Sequence, residues 1–257
     1  MTKNIKKVSP GELAKILSDN LDFVLELYIL NENKICVKPV YKFIEAFAGD
    51  INIPDFAMIY SEFDEPEEIF ISVNSLNSLD SNKFGEILRK YKNYKYIFHG
   101  DNGDGELCES FYYDKKTKNH INSELGFKLL ALDDKNLKNI FEKDSDSYLS
   151  KIFEDFIENK IYHDCGIIGE YDKNNNFTGY LAYYEIAENI RDISYIYVGE
   201  KYRGRGYGKN LLNFFVNKNI SENKISYYSY ADGEISEDLA KSCGFLPCAK
   251  RYEIEKR

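Results

Sequence analysis

The chain has no tryptophan, two methionines, three histidines and five prolines among its 257 residues. Its five cysteines, Cys36, Cys108, Cys165, Cys243 and Cys248, are odd in number and form no CxxC pair. A disulfide framework needs paired thiols and a zinc site needs closely spaced Cys or His, so reduced thiols and no metal are expected. His99, His120 and His163 stand in no HExxH or His–Cys arrangement and suit surface or packing roles. Long apolar runs are also missing, since nothing approaches the roughly 18 residues of a membrane span. Lys3, Lys6 and Lys7 precede a stretch broken by Glu12, Lys15, Asp19 and Asp22, which is not the apolar core of a signal peptide. The expectation is a cytoplasmic protein with no membrane partner.

Basic charge is scarce as well. Lys and Arg number 34 against 43 Asp and Glu, a net charge of -9. Residues 1–126 hold 15 basic and 21 acidic side chains and residues 127–257 hold 19 and 22, so neither half offers a phosphate backbone a basic face. Nucleic acid is therefore not an expected partner, and a cationic small molecule fits better. What the chain does have is ordinary globular material. It is 43% hydrophobic and 30% charged, enough for a packed core, and its length suits two modest domains.

Ser9, Pro10 and Glu12 have the order of a capping box with proline at the first helical position, so a helix is expected from there. Phe23 to Leu30, Ala57 to Tyr60 and Ile69 to Val73 read as strands, Phe84 to Tyr91 as a helix, and Tyr94 to Phe98 as a strand. Gly100 to Glu106 looks superficially like a calcium loop but lacks the acidic ligands at its first and twelfth positions, which leaves a hairpin loop. Asp114 to Ser123 is polar and aperiodic, the best linker in the sequence, and the domain boundary is placed near residue 126. Beyond it the order is strand (Phe127 to Leu132), a helix capped by Asp133 or Asp134, and a second helix holding Leu149 to Phe156. A hairpin follows, Gly166 to Tyr171 and Gly179 to Ile186, joined through Asp172 to Asn176. Next come a strand (Ile193 to Val198), a helix (Gly208 to Asn217), a strand (Lys224 to Tyr230), a helix (Ile235 to Ser242) and a last strand (Ala249 to Ile254). The fold class is α/β, or α+β, with a mixed sheet flanked by helices after a smaller α/β domain.

Between a strand and an apolar helix lies Arg203, Gly204, Arg205, Gly206, Tyr207, Gly208, Lys209. Glycines let the backbone turn its N–H groups into one concavity, and the helix start adds its positive dipole end, a setting suited to a pyrophosphate. Two of the chain's six arginines lie in this loop. It is not a Walker loop, because Lys209 is followed by Asn210, nor a dinucleotide fingerprint, because its glycines are spaced GxGxG far from the N-terminus.

The loop resembles the acyl-CoA loop of the GNAT superfamily of N-acetyltransferases, in which Arg or Gln is followed after two residues by Gly, one residue, and Gly or Ala. Arg203, Gly206 and Gly208 fit it, and Val198 stands where the family's fourth strand ends. Downstream, Ser236, Leu239, Ala240, Gly244 and Phe245 line up with the family's NxxSxxLAxxxGF variant. The resemblance covers 127–257 and implies a GNAT-like domain there, with 1–126 an α/β domain of unassigned role. It further implies acetyl-CoA as cosubstrate and direct transfer in a ternary complex to a small-molecule or peptide amine, without metal.

By the same resemblance the fourth and fifth strands splay to admit the pantetheine arm, with backbone groups of Tyr197 and Val198 pairing to it. An amide near those residues would meet the oxyanion. Arg203, Gly204, Arg205, Gly206, Tyr207, Gly208 and Lys209 would hold the pyrophosphate, and Ser236 joins the cofactor-binding positions. The attacking ammonium must lose a proton, for which Glu185 and Asp192 are candidates. The family's tyrosine acid is replaced by Ala240, which leaves Tyr230, Tyr227 or Tyr228 to protonate the thiolate. Gly233 and Glu200 also depart from the family's usual Asn and Pro. A CoA-binding sensor or interaction module without catalysis is the competing reading. For the first domain, a role in shaping the acceptor site, a homodimer face and a decayed second copy of the fold all remain open.

Overall fold

The computed structural model describes residues 6–18, 23–35, 41–48, 56–62, 69–73, 94–99, 106–113, 116–131, 133–143, 164–187, 189–229, 231 and 233–255. The expected helices at 84–91 and 149–156, the loop 100–105 and Tyr230 lie outside them. The chain divides into two compact units. One comprises Met1–Asn33, Pro39–Ser110 and Pro247–Arg257; the other comprises Lys34–Lys38 and Phe111–Leu246. No helix of the described residues is long and apolar enough to cross a membrane.

The first unit holds β1 (Lys6–Val8), α1 (Pro10–Leu17), α2 (Val24–Ile35), β2 (Tyr41–Ala48), β3 (Phe56–Glu62), β4 (Ile69–Val73) and β5 (Tyr94–His99). The α1 capping box forms as expected: Ser9 Oγ accepts Glu12 N–H at 3.3 Å, and the Glu12 carboxylate accepts Ser9 N–H at 2.8 Å. Segment 23–30 is not a strand. It belongs to α2, where Val24, Leu27, Tyr28 and Ile29 are all buried, and a short helix buried on most sides shows the same continuous apolar run as a core strand. The strands order β1-β2-β3-β4-β5, antiparallel except for the parallel β4–β5 join. The last strand of the chain, β12 (Leu246–Glu255), runs antiparallel to β5 from Arg251 to Glu255.

The second unit is built from β7 (Gly126–Leu130), α3 (Lys135–Lys143), β8 (Cys165–Tyr171), β9 (Phe177–Ala187), β10 (Ile190–Val198), α4 (Tyr207–Ser221), β11 (Ile225–Tyr228) and α5 (Glu234–Ser242). Residues 111–113 of β6 (Glu106–Tyr113) pair antiparallel with β11. The β7-β8-β9-β10 joins are antiparallel and β10–β11 is parallel. This is the same sequence of joins as in the first unit, so the two units repeat one strand order. One face of the second sheet packs Ile168, Leu181, Tyr183 and Ile193 under Leu211, Leu212, Phe215 and Val216 of α4. The other packs Ile167, Tyr180 and Ala182 against Leu137 of α3. Cys243 is a buried small group on the α4 face, as expected.

The polar segment 116–125 has no regular structure, yet it is fastened rather than loose. Asn119 N–H donates to Asn217 Oδ1 at 2.7 Å, Asn213 Nδ2 to His120 O at 2.9 Å, and Asn122 N–H to Asn210 Oδ1 at 3.1 Å. Asn210, Asn213 and Asn217 recur at three- and four-residue spacing along one flank of α4, so the helix supplies this segment with its backbone partners.

Candidate functional site

The site begins with a failure of pairing. Strand β10 runs beside β9 from Ile190 to Val198 but is paired with β11 only over Ile190–Asp192 and Ile225–Tyr227. Asp192 ends the ladder. Its carboxylate accepts Ser229 N–H at 2.9 Å and Ser229 Oγ–H at 2.5 Å, which engages the continuation of β11 through a side chain. The last six residues of β10 therefore border a fork. A register shift between Ile193 and Tyr195 makes Ser194 a bulge at the base of that fork, where the strand bends and twists.

The alternation along β10 decides which backbone groups face the opening. Gly199 N–H donates to Thr178 O at 2.9 Å, so residues 199 and 197 turn toward β9, while the N–H and C=O groups of Ile196 and Val198 face the fork. Tyr197 thus takes no backbone part in the gap. Its neighbour Ile196, which the sequence did not single out, stands there with Val198. A β-carbon at Gly179, opposite Val198, would collide with the Tyr197 carbonyl, so glycine is required there.

At the open end of the fork the chain makes one 3-10 turn, Glu200–Tyr202, and enters the glycine loop. Gly204 and Gly206 have φ of 71° and 83°, left-handed values that glycine adopts without strain, and Gly206 is the N-cap of α4. No side chain caps α4, and its first intrahelical bond is Asn210 N–H to Gly206 O at 3.1 Å. The amides of Tyr207, Gly208 and Lys209 are therefore left pointing out of the helix end. Gly208 lies where α4, β10 and α5 meet, a β-carbon there falling 3.6 Å from Val198 and 3.7 Å from Leu239. Arg203 Nε donates to Val198 O at 3.0 Å, so Arg203 braces the turn. Arg205 and Lys209 are exposed and make no ion pair among the described residues. Ser236 is the third residue of α5, half-buried, beneath an N-cap at Gly233 that supplies no side chain.

The structure does not bring Glu185 to this fork. It sits on the α4 face near the far end of that 15-residue helix, roughly 20 Å from its start. There its carboxylate is ion-paired with Lys224 and accepts Asn189 N–H at 3.1 Å. Asp164 shares that cluster with Arg191 at 2.6 Å and Lys224 at 3.1 Å. Burial pushes the Asp164 carboxyl up, but its contacts with Glu185, Arg191 and Lys224 outweigh this and hold it at about 2. Such a cluster ties β8, β9, β10 and the end of α4 together. Asp192, by contrast, is buried at the base of the fork on the α3 face. Ala240 is fully buried in the α4-side core, so no phenol stands at that position; Tyr227, the partner of Asp192 in the last β10 pair, and Tyr228, just past it, are buried on β11.

On the α3 face a cavity of about 500 Å³ opens between α3, the β8–β9 turn and the end of β10. The Tyr197 ring forms part of its wall, packed on Tyr180 with ring centres 5.6 Å apart. Beneath the other face, Glu170 is fully buried: Thr178 Oγ1 donates to one carboxylate oxygen at 2.9 Å and the second has no partner among the described residues. Burial pushes its carboxyl up to about 8 despite the Thr178 bond.

A fork with outward backbone groups, leading to a helix end with free amides and two cations that make no ion pair among the described residues, fits an extended amide-bearing arm that ends in a diphosphate. Residues 134–245 match the model of the family described as Acetyltransferase (GNAT) family. Among solved structures, a GCN5-related N-acetyltransferase from Sphaerobacter thermophilus superposes with a TM-score of 0.58 at 8% identity, over 98% of this chain and 95% of that one. A Drosophila protein gives 0.56 at 10% identity, over 98% and 99%. A tandem GNAT protein from the clavulanic acid biosynthesis pathway gives 0.53 at 8%, over 98% of each chain. At such identities the likeness is one of fold. None of the curated proteins matches the chain by sequence.

Proposed function

We propose, from the match of residues 134–245 to the GNAT acetyltransferase family, that the protein is an N-acetyltransferase that moves an acetyl group from acetyl-CoA to a primary amine within a ternary complex. The fork between β10 and β11 carries the reading, because it ends at the uncapped start of α4. The backbone of Ile196 and the N–H of Val198, whose carbonyl already accepts Arg203 Nε, pair with the pantetheine arm, and the amides of 207–209 with Arg205 and Lys209 hold the diphosphate. Arg203 and the glycines give the loop its shape, and Ser236 lies beside it on α5. Acetyl-CoA supplies an activated acyl group. The amine nitrogen bonds to the thioester carbon, the carbon–sulfur bond breaks, and the proton shed by the ammonium leaves toward Asp192. The thiolate needs little help to leave, since a free thiol has a pKa of about 8.5; Tyr227 and Tyr228 are the candidates among the described residues to return a proton to it.

The test is release of free CoA on addition of amines. Gly206→Glu, which puts a β-carbon and a negative charge at a φ of 83°, abolishes release and thermal stabilisation by acetyl-CoA. Asp192→Asn lowers kcat by roughly 10²- to 10⁴-fold while that stabilisation persists. Turnover that survives Gly206→Glu refutes the loop assignment. Burial of Ala240 where the family carries its acid supports a second reading, a CoA-binding module without catalysis. That reading predicts stabilisation by acetyl-CoA with no CoA released by any amine.

A further inference from the structure

The cavity beside β10 lies back to back with the fork. Tyr197 projects into it, while the residues on either side, Ile196 and Val198, offer their backbones to the gap. From Tyr197 to the bulge at Ser194 is three residues, about 10 Å along the strand. Both Asp192 and Tyr195 belong to this same face. Resting on the acetyl-transfer reading above, we propose that this cavity is the acceptor subsite and that it takes a hydroxyl-rich monoamine of the amino-sugar class rather than a polyamine.

The wall chemistry carries the choice. Asn139 on α3 and Asn175 at the tip of the β8–β9 turn bring side-chain amides that make no hydrogen bond among the described residues. The hydroxyls of Tyr197 and Tyr202 add two more donor–acceptor groups that make no hydrogen bond among the described residues. Amides and phenols each donate and accept, as sugar hydroxyls do, whereas an ammonium can only donate. Phe177 and the Tyr197 ring supply flat apolar surface against which the C–H face of a pyranose packs.

Charge points the same way. No carboxylate of the described residues lines the cavity. Asp172, in the adjoining turn, spends its carboxylate on Asn174 N–H at 2.9 Å and on the amides of Asn176. Among the described residues, the one ionic group in the wall is the ammonium of Lys201, held over the Tyr202 ring at 4.8 Å. Asp172 lies close enough to feel the charge of Lys201, and a polyamine would bring further positive charges to a wall that has no carboxylate of its own among the described residues. The acidic net charge of the chain therefore does not set the acceptor, because the subsite itself is lined mainly by neutral polar and aromatic groups. An anionic substituent such as a phosphate ester would gain from Lys201.

The experiment follows CoA release at saturating acetyl-CoA with glucosamine, glucosamine 6-phosphate, spermidine and a lysine peptide, alongside calorimetric titration of glucosamine into the CoA-saturated protein. The expected result is kcat/KM for the amino sugars at least tenfold above that for spermidine and the peptide. Asn139→Ala with Asn175→Ala raises the amino-sugar KM about tenfold, the loss expected when hydroxyl partners are removed, while stabilisation by acetyl-CoA is retained. Lys201→Ala raises the KM of the phosphate ester more than that of glucosamine. Preference for spermidine or the peptide overturns the proposal, as does an unchanged KM in the double variant or no heat with glucosamine. Absence of stabilisation by acetyl-CoA is a different failure, one that removes the acetyl-transfer reading itself.

Discussion

Single residues decide how the site is held. Asp192 and Glu185 are both acidic residues on neighbouring strands and equally plausible bases on paper. Strand alternation puts Asp192, next to the Arg191 that pairs with Glu185, on the α3 face at the base of the fork and leaves Glu185 on the opposite face among cations. Glu170 gives the sharpest prediction at this scale. Its carboxyl titrates near 8 in the folded chain because it is buried, against an ordinary 4.5 when unfolded. Between those values the folded state keeps a proton that the unfolded state releases, so stability falls as pH rises from about 4.5 to about 8 and then levels. Gln mimics the protonated acid. Thermal melts of Glu170→Gln are therefore expected to match the parent near pH 5 and to exceed it increasingly toward pH 8.5. A difference that does not vary with pH would show that Glu170 does not carry this proton.

At the scale of elements, α4 does most of the positioning. Its buried stripe of Leu211, Leu212, Phe215 and Val216 anchors it to the sheet, its asparagine flank fastens 116–125, and its uncapped start faces the fork. Arg205 and Lys209 frame that start and serve no ion pair among the described residues, so removing them should weaken binding without harming the fold. Arg205→Ala with Lys209→Ala is expected to raise the KM for acetyl-CoA by at least tenfold, with an unchanged melting temperature in the absence of ligand and a weaker dependence of KM on salt. Steady-state kinetics at two ionic strengths check this. The helix and its glycine loop were legible because their signals are local: left-handed glycines, an apolar period, and no acidic residue in the first turn. The linker reading of 114–123 went astray for the converse reason, since the asparagines that hold the segment lie some ninety residues away.

For the whole molecule, the two units share a strand order but differ at the join that matters. In the second unit the parallel pair opens after three residues; in the first, all five residues of β4, Ile69 to Val73, stay paired with Tyr94 to Phe98 of β5. A closed pair leaves no backbone edge for an extended arm. One acetyl-CoA per chain is therefore expected by isothermal titration, and Gly206→Glu should remove all of the binding. Two equivalents bound, or one surviving that substitution, would mean that the first unit also opens. The repeat itself could not be seen in the sequence, because antiparallel and parallel strands in a buried sheet require only apolar alternation, which many unrelated residues satisfy.

The sequence by itself determined the local features. The capping box of α1, the hairpin through Asp172 to Asn176, the glycine loop and the helix behind it all depend on residues within a few positions of one another, where propensity and backbone freedom suffice. Only the tertiary structure decided that Asp192 closes a ladder that β11 abandons, that Tyr197 serves a cavity rather than the fork, and that 23–35 is a helix. Each of these turns on which strand lies beside which, and in what register. A shift of one residue exchanges the two faces of a strand, and no short stretch of sequence records that choice.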